Sequence, residues 1–123
     1  MTIFHFSVRI GVALTYALCV FSPMIAQDIA DDDTRLVRAD RQLNRIYQVR
    51  LKQLAPAKRA VFRNSERRWI SETTRRCERV ANRAAEEATA MGPGAAAQAA
   101  ETLCRLEETE MRIVVLRNWK LKK

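Results

Sequence analysis

Residues 57–90 contain no proline and no glycine, so one helix can run through all of them. Pro56 suits the first turn of a helix, and Gly-Pro-Gly at residues 92–94 breaks the chain after it. At about 100° per residue, one narrow arc of this helix carries six side chains, with Cys77 at its edge. They are Phe62, Trp69, Thr73, Val80, Ala84 and Met91. The stretch therefore predicts one long helix with a face that packs against a neighbour.

Helical patterns also precede and follow this stretch. The first runs from Leu36 to just before Pro56, and the third from Ala95 to about Trp119. Their predicted apolar faces are Leu36, Ala39, Leu43, Ile46, Tyr47 and Leu54, then Ala97, Ala100, Cys104, Met111, Val115 and Trp119. No strand pattern occurs. We expect an all-α domain over residues 36–119, either a small three-helix antiparallel bundle or a helical hairpin stapled by one disulfide.

Short charged segments flank the predicted domain. Residues 27–35 form an acidic lead-in that opens with QDIADDD, and Asp33 or a neighbour is expected to cap the first helix. Calcium binding is the alternative for three adjacent aspartates, but no loop glycine or ligand spacing accompanies them. The basic tail at residues 120–123 is expected to fray.

The first 26 residues have the character of a secretory signal. Arg9 is their only charged residue, and the apolar run IGVALTYALCVF precedes SPMIAQ. The run falls short of the roughly 20 apolar residues that span a membrane, so cleavage is expected after Ala26. Met24 is larger than the residue usual at that point before a cut, which leaves an uncleaved inner-membrane anchor as the alternative. The chain is expected to be periplasmic or secreted.

Cleavage would leave Cys77 and Cys104 as the only cysteines, because Cys19 is lost with the signal. An even pair in an exported chain most simply forms one disulfide. A metal site is not expected, since two thiols with no histidine in the mature chain make a poor ligand set.

If the second and third helices run antiparallel and are joined by this disulfide, the positions that face each other can be predicted. The residue numbers of two facing positions then sum to about 181, as those of Cys77 and Cys104 do. Phe62 is expected to meet Trp119, and Trp69 to meet Arg112. Glu66 and Arg112 are expected to lie close together across the two helices, although each interrupts an otherwise apolar face. We expect these two side chains to form an ion pair beside the indole, which sets the register more than it adds stability.

The chain is strongly basic, with a formal net charge of +8 that falls to +7 when Arg9 is removed. This balance favours anionic partners, which outside the cytoplasm means lipid headgroups, cell-wall polymers or acidic proteins. Nucleic acid is not expected, because the chain is exported and has no aromatic-interleaved basic motif. Catalysis on a small-molecule substrate is not expected either, since His5, the only histidine, leaves with the signal and Ser65 and Ser71 have no evident base. No catalytic residue and no cofactor are assigned.

Three segments occur in a suggestive order: ADRQLNRIY, then ERRW with a cysteine eight residues after its tryptophan, then CRLEETEMRIVVL. Together they resemble the lysozyme-inhibitor-like family of small exported bacterial helical proteins, over roughly residues 36–116. The resemblance implies a helical, disulfide-bonded envelope protein, with lysozyme inhibition known for few members. The matching residues are Ala39, Asp40, Leu43, Asn44, Tyr47, Glu66, Arg67, Trp69, Thr109, Arg112 and Leu116. We interpret them as mostly structural, with Asn44 and Tyr47 available either for a site or for a hydrogen bond to a neighbouring helix.

The chain departs from the family pattern in three respects. Glu66 stands where glutamine is usual, and Glu72, Thr73 and Thr74 replace an aromatic-Arg-Asp step. An extra cysteine pair that many members carry before the first segment is absent. Any activity that depends on the Arg-Asp step is therefore in question.

Two functions compete at this point. The first is binding of a protein partner, lysozyme or another cell-wall hydrolase, whose commonly basic surface calls for an acidic patch or for an arginine that enters its acidic cleft. The candidates for that patch are Asp28, Asp31, Asp32, Asp33, Glu107, Glu108 and Glu110. The second is a binding or structural module for an anionic envelope component, through an outward stripe of Arg68, Arg75 and Arg79. A solvated face with Glu72 paired to Arg75 or Arg76 is the plainer interpretation of that stripe.

Overall fold

The computed structural model describes residues 23–119, with side chains from residue 30 onward. These residues form three helices: α1 (Pro23–Gln53), α2 (Pro56–Glu87) and α3 (Pro93–Arg117). No strand occurs in this part of the chain, which confirms the all-α prediction. Most of the predicted signal segment and the basic tail lie outside the described residues.

Each helix begins at a proline, whose fixed φ suits a first helical turn and whose missing N–H leaves no bond unmade there. Only Leu54 and Ala55 separate α1 from α2, so the chain reverses sharply between them. The connection from α2 to α3 ends at Gly92, whose φ of 77° lies in the left-handed region that glycine adopts without strain.

The prediction that Asp33 caps the first helix is wrong. α1 begins at Pro23, so Asp33 lies inside the helix and its backbone N–H needs no cap. Its carboxylate instead accepts a hydrogen bond of 3.0 Å from the hydroxyl of Thr102 on α3. The residues expected to be an acidic lead-in are therefore part of α1, and one of them contacts α3.

α2 and α3 run antiparallel and are joined by the predicted disulfide. Cys77 and Cys104 are bonded, with their Cα atoms 5.5 Å apart. The predicted register is confirmed farther along, where the ring of Trp119 meets that of Phe62 edge-on at 5.4 Å. The second helix and the third thus form the hairpin that the cysteine positions indicated.

α1 runs parallel to α3. The hydroxyls of Thr102 and Thr109 donate to Asp33 and Asp40, at 3.0 and 3.5 Å, and both pairs are 69 residues apart in the sequence. Between parallel helices, the residue numbers of contacting partners differ by a constant amount. Between antiparallel helices, it is the sum of the residue numbers that stays constant. α3 therefore packs against both other helices, whereas α1 and α2 approach each other at few positions.

The core extends from the middle of the bundle to the end where α1 turns into α2 and α3 finishes. Its buried residues are Ala39, Leu43, Leu54, Phe62, Leu106, Ile113 and Leu116. Phe62 is central, because Tyr47 stacks on it at 5.2 Å and Trp119 packs against its edge. Arg50 closes this end by donating to the carbonyl oxygens of Leu116, at 2.9 Å, and Arg117. The arginine thus adds charged donors to the carbonyls at the end of α3, of which that of Leu116 also accepts from the backbone N–H of Trp119 at 3.4 Å.

Four residues placed on inward faces by the sequence pattern are exposed instead: Val80, Met91, Met111 and Val115. α3 packs against two helices, so its buried side turns toward the space between them and away from Met111 and Val115. The far half of α2 meets α3 through Cys77 and Ala81, and Val80 lies at the flank of this contact, where it is exposed. The inward face predicted for a helix from packing against one other helix is wrong where a second helix changes which side is buried.

Candidate functional site

A groove runs between α1 and α2, with α3 as its floor. It consists of two adjoining cavities of about 290 and 380 Å³ that share Leu43, Asn44, Trp69 and Ile70. The first cavity is also lined by Leu36, Asp40, Thr73, Thr74, Arg105 and Thr109. The second is also lined by Tyr47, Arg63, Glu66 and Arg67. The groove exists because the two helices that form its walls are held apart by their common packing on α3.

Most of the residues that carry the family resemblance meet in this groove, although they come from all three helices. Those that line it are Asp40, Leu43, Asn44, Tyr47, Glu66, Arg67, Trp69 and Thr109. Ala39 and Leu116 are buried in the core behind it, and Arg112 supports it from α3. The interpretation of the set as mostly structural missed this gathering, because the position of α1 relative to α2 cannot be deduced from the cysteines.

Glu66 and Arg112 form the expected ion pair at the back of the second cavity. Both Nε and Nη2 of Arg112 donate to Oε2 of Glu66, at 3.1 and 2.7 Å, and the two side chains are each only 10% exposed. The guanidinium also lies over the indole of Trp69, 5.4 Å from the ring centroid. The tryptophan that lines the groove is thus held in place by a desolvated cation.

Thr73 leaves a polar atom unsatisfied beside the first cavity. The residue is 7% exposed, and its hydroxyl oxygen has no hydrogen-bond partner among the described residues. Buried hydroxyls are normally paired, so an exception calls for an explanation. Thr73 belongs to the segment in which the chain departs from the family pattern, and its environment could not be read from sequence.

Asn44 does not make the hydrogen bond to a neighbouring helix that was one of its two expected roles. Its side chain is exposed at the groove and forms no hydrogen bond with the described part of the chain. Tyr47 packs through its ring, against Phe62. The amide of Asn44 is therefore available for a bound molecule.

The three arginines of the predicted outward stripe, Arg68, Arg75 and Arg79, are all exposed. Arg75 donates to the hydroxyl of Ser71 at 2.7 Å rather than pairing with Glu72. Arg76 pairs instead with Glu108 on α3. The predicted pairing of Glu72 is thus wrong, because a carboxylate on the next helix lies closer to Arg76 than one on its own helix.

The outward side of α3 combines exposed apolar and acidic residues. Leu103, Met111 and Val114 are about half exposed, and Glu107 and Glu110 lie among them. We call these five residues the acidic-apolar stripe. Arg35 of α1 approaches Glu110 at 3.7 Å, but both side chains are about half exposed, so water screens the contact.

The remaining acidic candidates are less available. Glu108 is only 12% exposed and is paired with Arg76. Asp32 pairs with Arg35 at 3.0 Å, and Asp33 accepts from Thr102. Asp31 is exposed, and the side chain of Asp28 lies outside the described residues.

Comparison with known proteins shows to which family the chain is related. The family model described as Lysozyme inhibitor LprI matches residues 28–116, which is most of the sequence. No curated protein and no solved structure matches significantly. Among the helices that the structure describes, none has the length and apolar character needed to cross a membrane.

Proposed function

Because the chain belongs to the lysozyme inhibitor LprI family, we propose that it is an exported protein that binds lysozyme and blocks cleavage of the cell wall. The observation that carries this proposal is the family match over residues 28–116. The family is one of inhibitors, which is consistent with the expectation of a binding protein rather than an enzyme. A protein partner follows at the level of the family, and the identity of the lysozyme belongs to the proposal.

The overall charge of the protein opposes this association. The chain carries a net charge of +8, and lysozymes are commonly basic, so the two would approach slowly at low salt. A local surface of the opposite sign must therefore make the contact. The acidic-apolar stripe of α3 is such a surface, because Glu107 forms no ion pair with the described residues and Glu110 only a screened one.

The composition of the stripe also suits a protein interface. Apolar side chains supply the contact area, here Leu103, Met111 and Val114, while carboxylates at their margin give orientation and attract a basic partner. A stripe along one straight helix can enter an extended cleft. We propose that α3 occupies or covers the substrate cleft of the hydrolase in this way.

A second docking mode uses the exposed face of α2. Arg68 and Arg79 are exposed and make no ion pair with the described residues, so either is available to the carboxylates of a catalytic cleft. The same two arginines favour the alternative function, binding of an anionic envelope component. Salt-sensitive binding to anionic vesicles, weakened by charge reversal at Arg68, Arg75 and Arg79, would support that alternative.

Residual lysozyme activity in the presence of increasing amounts of the oxidised protein tests the proposal. We expect stoichiometric inhibition that E107K/E110K weakens about tenfold or more, because both attraction and orientation are lost. The matched control is E86K/E87K, which changes the net charge equally at the exposed end of α2. Unimpaired lysozyme activity at large molar excess of the wild-type protein would reject the function, whereas a loss confined to R68E/R75E/R79E would move the interface to α2.

Export is the remaining part of the proposal. We expect a signal segment of residues 1–26 to be removed after Ala26, which leaves the helical domain and the basic tail as the mature protein. The intact mass of the protein recovered from the periplasm or the medium distinguishes this form from one anchored through an uncleaved signal.

A further inference from the structure

From the groove between α1 and α2 we infer that the protein has a ligand site distinct from the acidic-apolar stripe, and that its ligand is a sugar bearing a carboxylate. The two cavities of about 290 and 380 Å³ are at the lower end of the range for small-molecule sites. They are open to solvent on one side, and their walls combine apolar, hydroxyl, amide and charged groups. Such a mixture suits a ligand that is neither purely apolar nor purely ionic.

The unpaired hydroxyl of Thr73 is the strongest indication that the first cavity is a binding site. Its oxygen is buried and has no partner among the described residues, although Thr73 lines the cavity. Rotation about one bond, χ1, presents the hydroxyl to a molecule that lies there. A hydroxyl group of a ligand would form the hydrogen bond that the Thr73 hydroxyl lacks, since a hydroxyl can both donate and accept.

The polar groups around Thr73 match the rest of a sugar ring. Asp40 offers an acceptor, Asn44 offers both a donor and an acceptor, and the hydroxyl of Thr74 offers both. Neither Asn44 nor Thr74 forms a hydrogen bond within the described residues. Several convergent groups of mixed character are what neighbouring ring hydroxyls require.

Trp69 and Ile70 provide the apolar surface on which such a ring would lie. Both residues line both cavities, and the guanidinium of Arg112 over the indole holds Trp69 in position. The indole thus presents a rigid apolar surface next to polar groups. This combination fits the weakly apolar face of a pyranose ring better than it fits an aliphatic chain, which would leave the polar groups unpaired.

The second cavity accounts for the carboxylate. Arg63 and Arg67 line it, are exposed, and form no ion pair with the described residues. Glu66, the only carboxylate of the described residues that lines this cavity, is already paired with Arg112. An anionic substituent that extends from the ring toward Arg67 would therefore meet positive charge without competition.

Titration of the ¹⁵N-labelled protein by NMR, without any lysozyme, tests the site independently of the proposed inhibition. The three probes are N-acetylmuramic acid, N-acetylglucosamine, which lacks the lactyl carboxylate, and D-lactate, which lacks the ring. We expect saturable shifts of the Trp69 indole N–H and the Thr73 amide with N-acetylmuramic acid, and weaker binding of the other two. Absence of saturable shifts with N-acetylmuramic acid, or equal binding of D-lactate, would overturn the proposal.

Variants separate binding from folding. T73V is expected to weaken binding about threefold or more while the midpoint of unfolding stays unchanged or rises, because valine has the same shape and removes an unsatisfied group. T73S, which keeps the hydroxyl, should retain binding. R67Q is expected to remove the preference for N-acetylmuramic acid over N-acetylglucosamine, while R68Q, its neighbour outside the groove, should keep it. Unchanged affinity in both T73V and R67Q would refute the assignment.

Discussion

Removal of either partner of the Glu66–Arg112 ion pair should destabilise the protein severely. The two side chains are each 10% exposed and are joined by two hydrogen bonds, so in either mutant the remaining charge stays largely buried without its partner. Breaking a buried pair in this way costs about 3–5 kcal/mol. We therefore expect E66A and R112A each to lower the free energy of unfolding by about 4 kcal/mol.

The double mutant measures the coupling energy between Glu66 and Arg112, which the two single mutants cannot give. With both charges absent, E66A/R112A should lose only packing, including the contact of the guanidinium with Trp69, so we expect a cost of about 5 kcal/mol rather than 8. The coupling energy is then about 3 kcal/mol. E66Q, which places the usual family residue at this position, should cost about 1–2 kcal/mol, less than E66A, because the amide oxygen can still accept a hydrogen bond from the charged guanidinium of Arg112.

Urea unfolding of the oxidised proteins, followed by far-UV circular dichroism at 25 °C, measures these energies. The exposed pair of Glu101 and Arg105, with side chains 38% and 40% exposed, is the matched control and should show a coupling of about 0.3–0.5 kcal/mol. A coupling below about 0.5 kcal/mol for Glu66 and Arg112 would refute the reasoning, because it would mean that water reaches the pair.

Three further perturbations test the packing. Replacement of Cys77 and Cys104 by alanine should lower the free energy of unfolding by about 3.5 kcal/mol in urea titrations, since their disulfide closes a loop of 27 positions; a loss below 1 kcal/mol would contradict this. Arg50→Gln should cost about 1.5–3 kcal/mol, because its charged bonds to the carbonyls that end α3 are lost, and an unchanged melting temperature would argue against these bonds. Leu106→Ala should cost about 2–5 kcal/mol, whereas Met111→Ala on the same helix should cost at most 0.5 kcal/mol; equal costs would mean that the buried face is misassigned.

The hairpin of α2 and α3 was predictable because one covalent link determines a register. Once Cys77 is joined to Cys104 between antiparallel helices, every facing pair follows, and the contacts of Phe62 with Trp119 and of Arg112 with Glu66 are confirmed. A regular helix transmits that information over several turns. This part of the fold required no knowledge of side-chain packing.

The position of α1 was not predictable in the same way. No cysteine connects it, and its apolar pattern shows that it packs without showing on which neighbour. Its parallel alignment with α3 depends on side-chain hydrogen bonds such as that of Thr102 with Asp33, a residue that the sequence pattern indicated as a helix cap. The groove escaped prediction for the same reason, because it is the space left between α1 and α2 once both pack on α3.

Mapping the surface that lysozyme covers is the most direct test of the central claim, that the protein inhibits lysozyme through the acidic-apolar stripe of α3. Amide signals of the ¹⁵N-labelled protein would be followed as unlabelled lysozyme is added at physiological salt. We expect the signals at residues 103–114 to shift or broaden, while those of Arg68, Arg75 and Arg79 remain unchanged. Absence of any perturbation at saturating lysozyme, or perturbation confined to the arginines of α2, would contradict the claim.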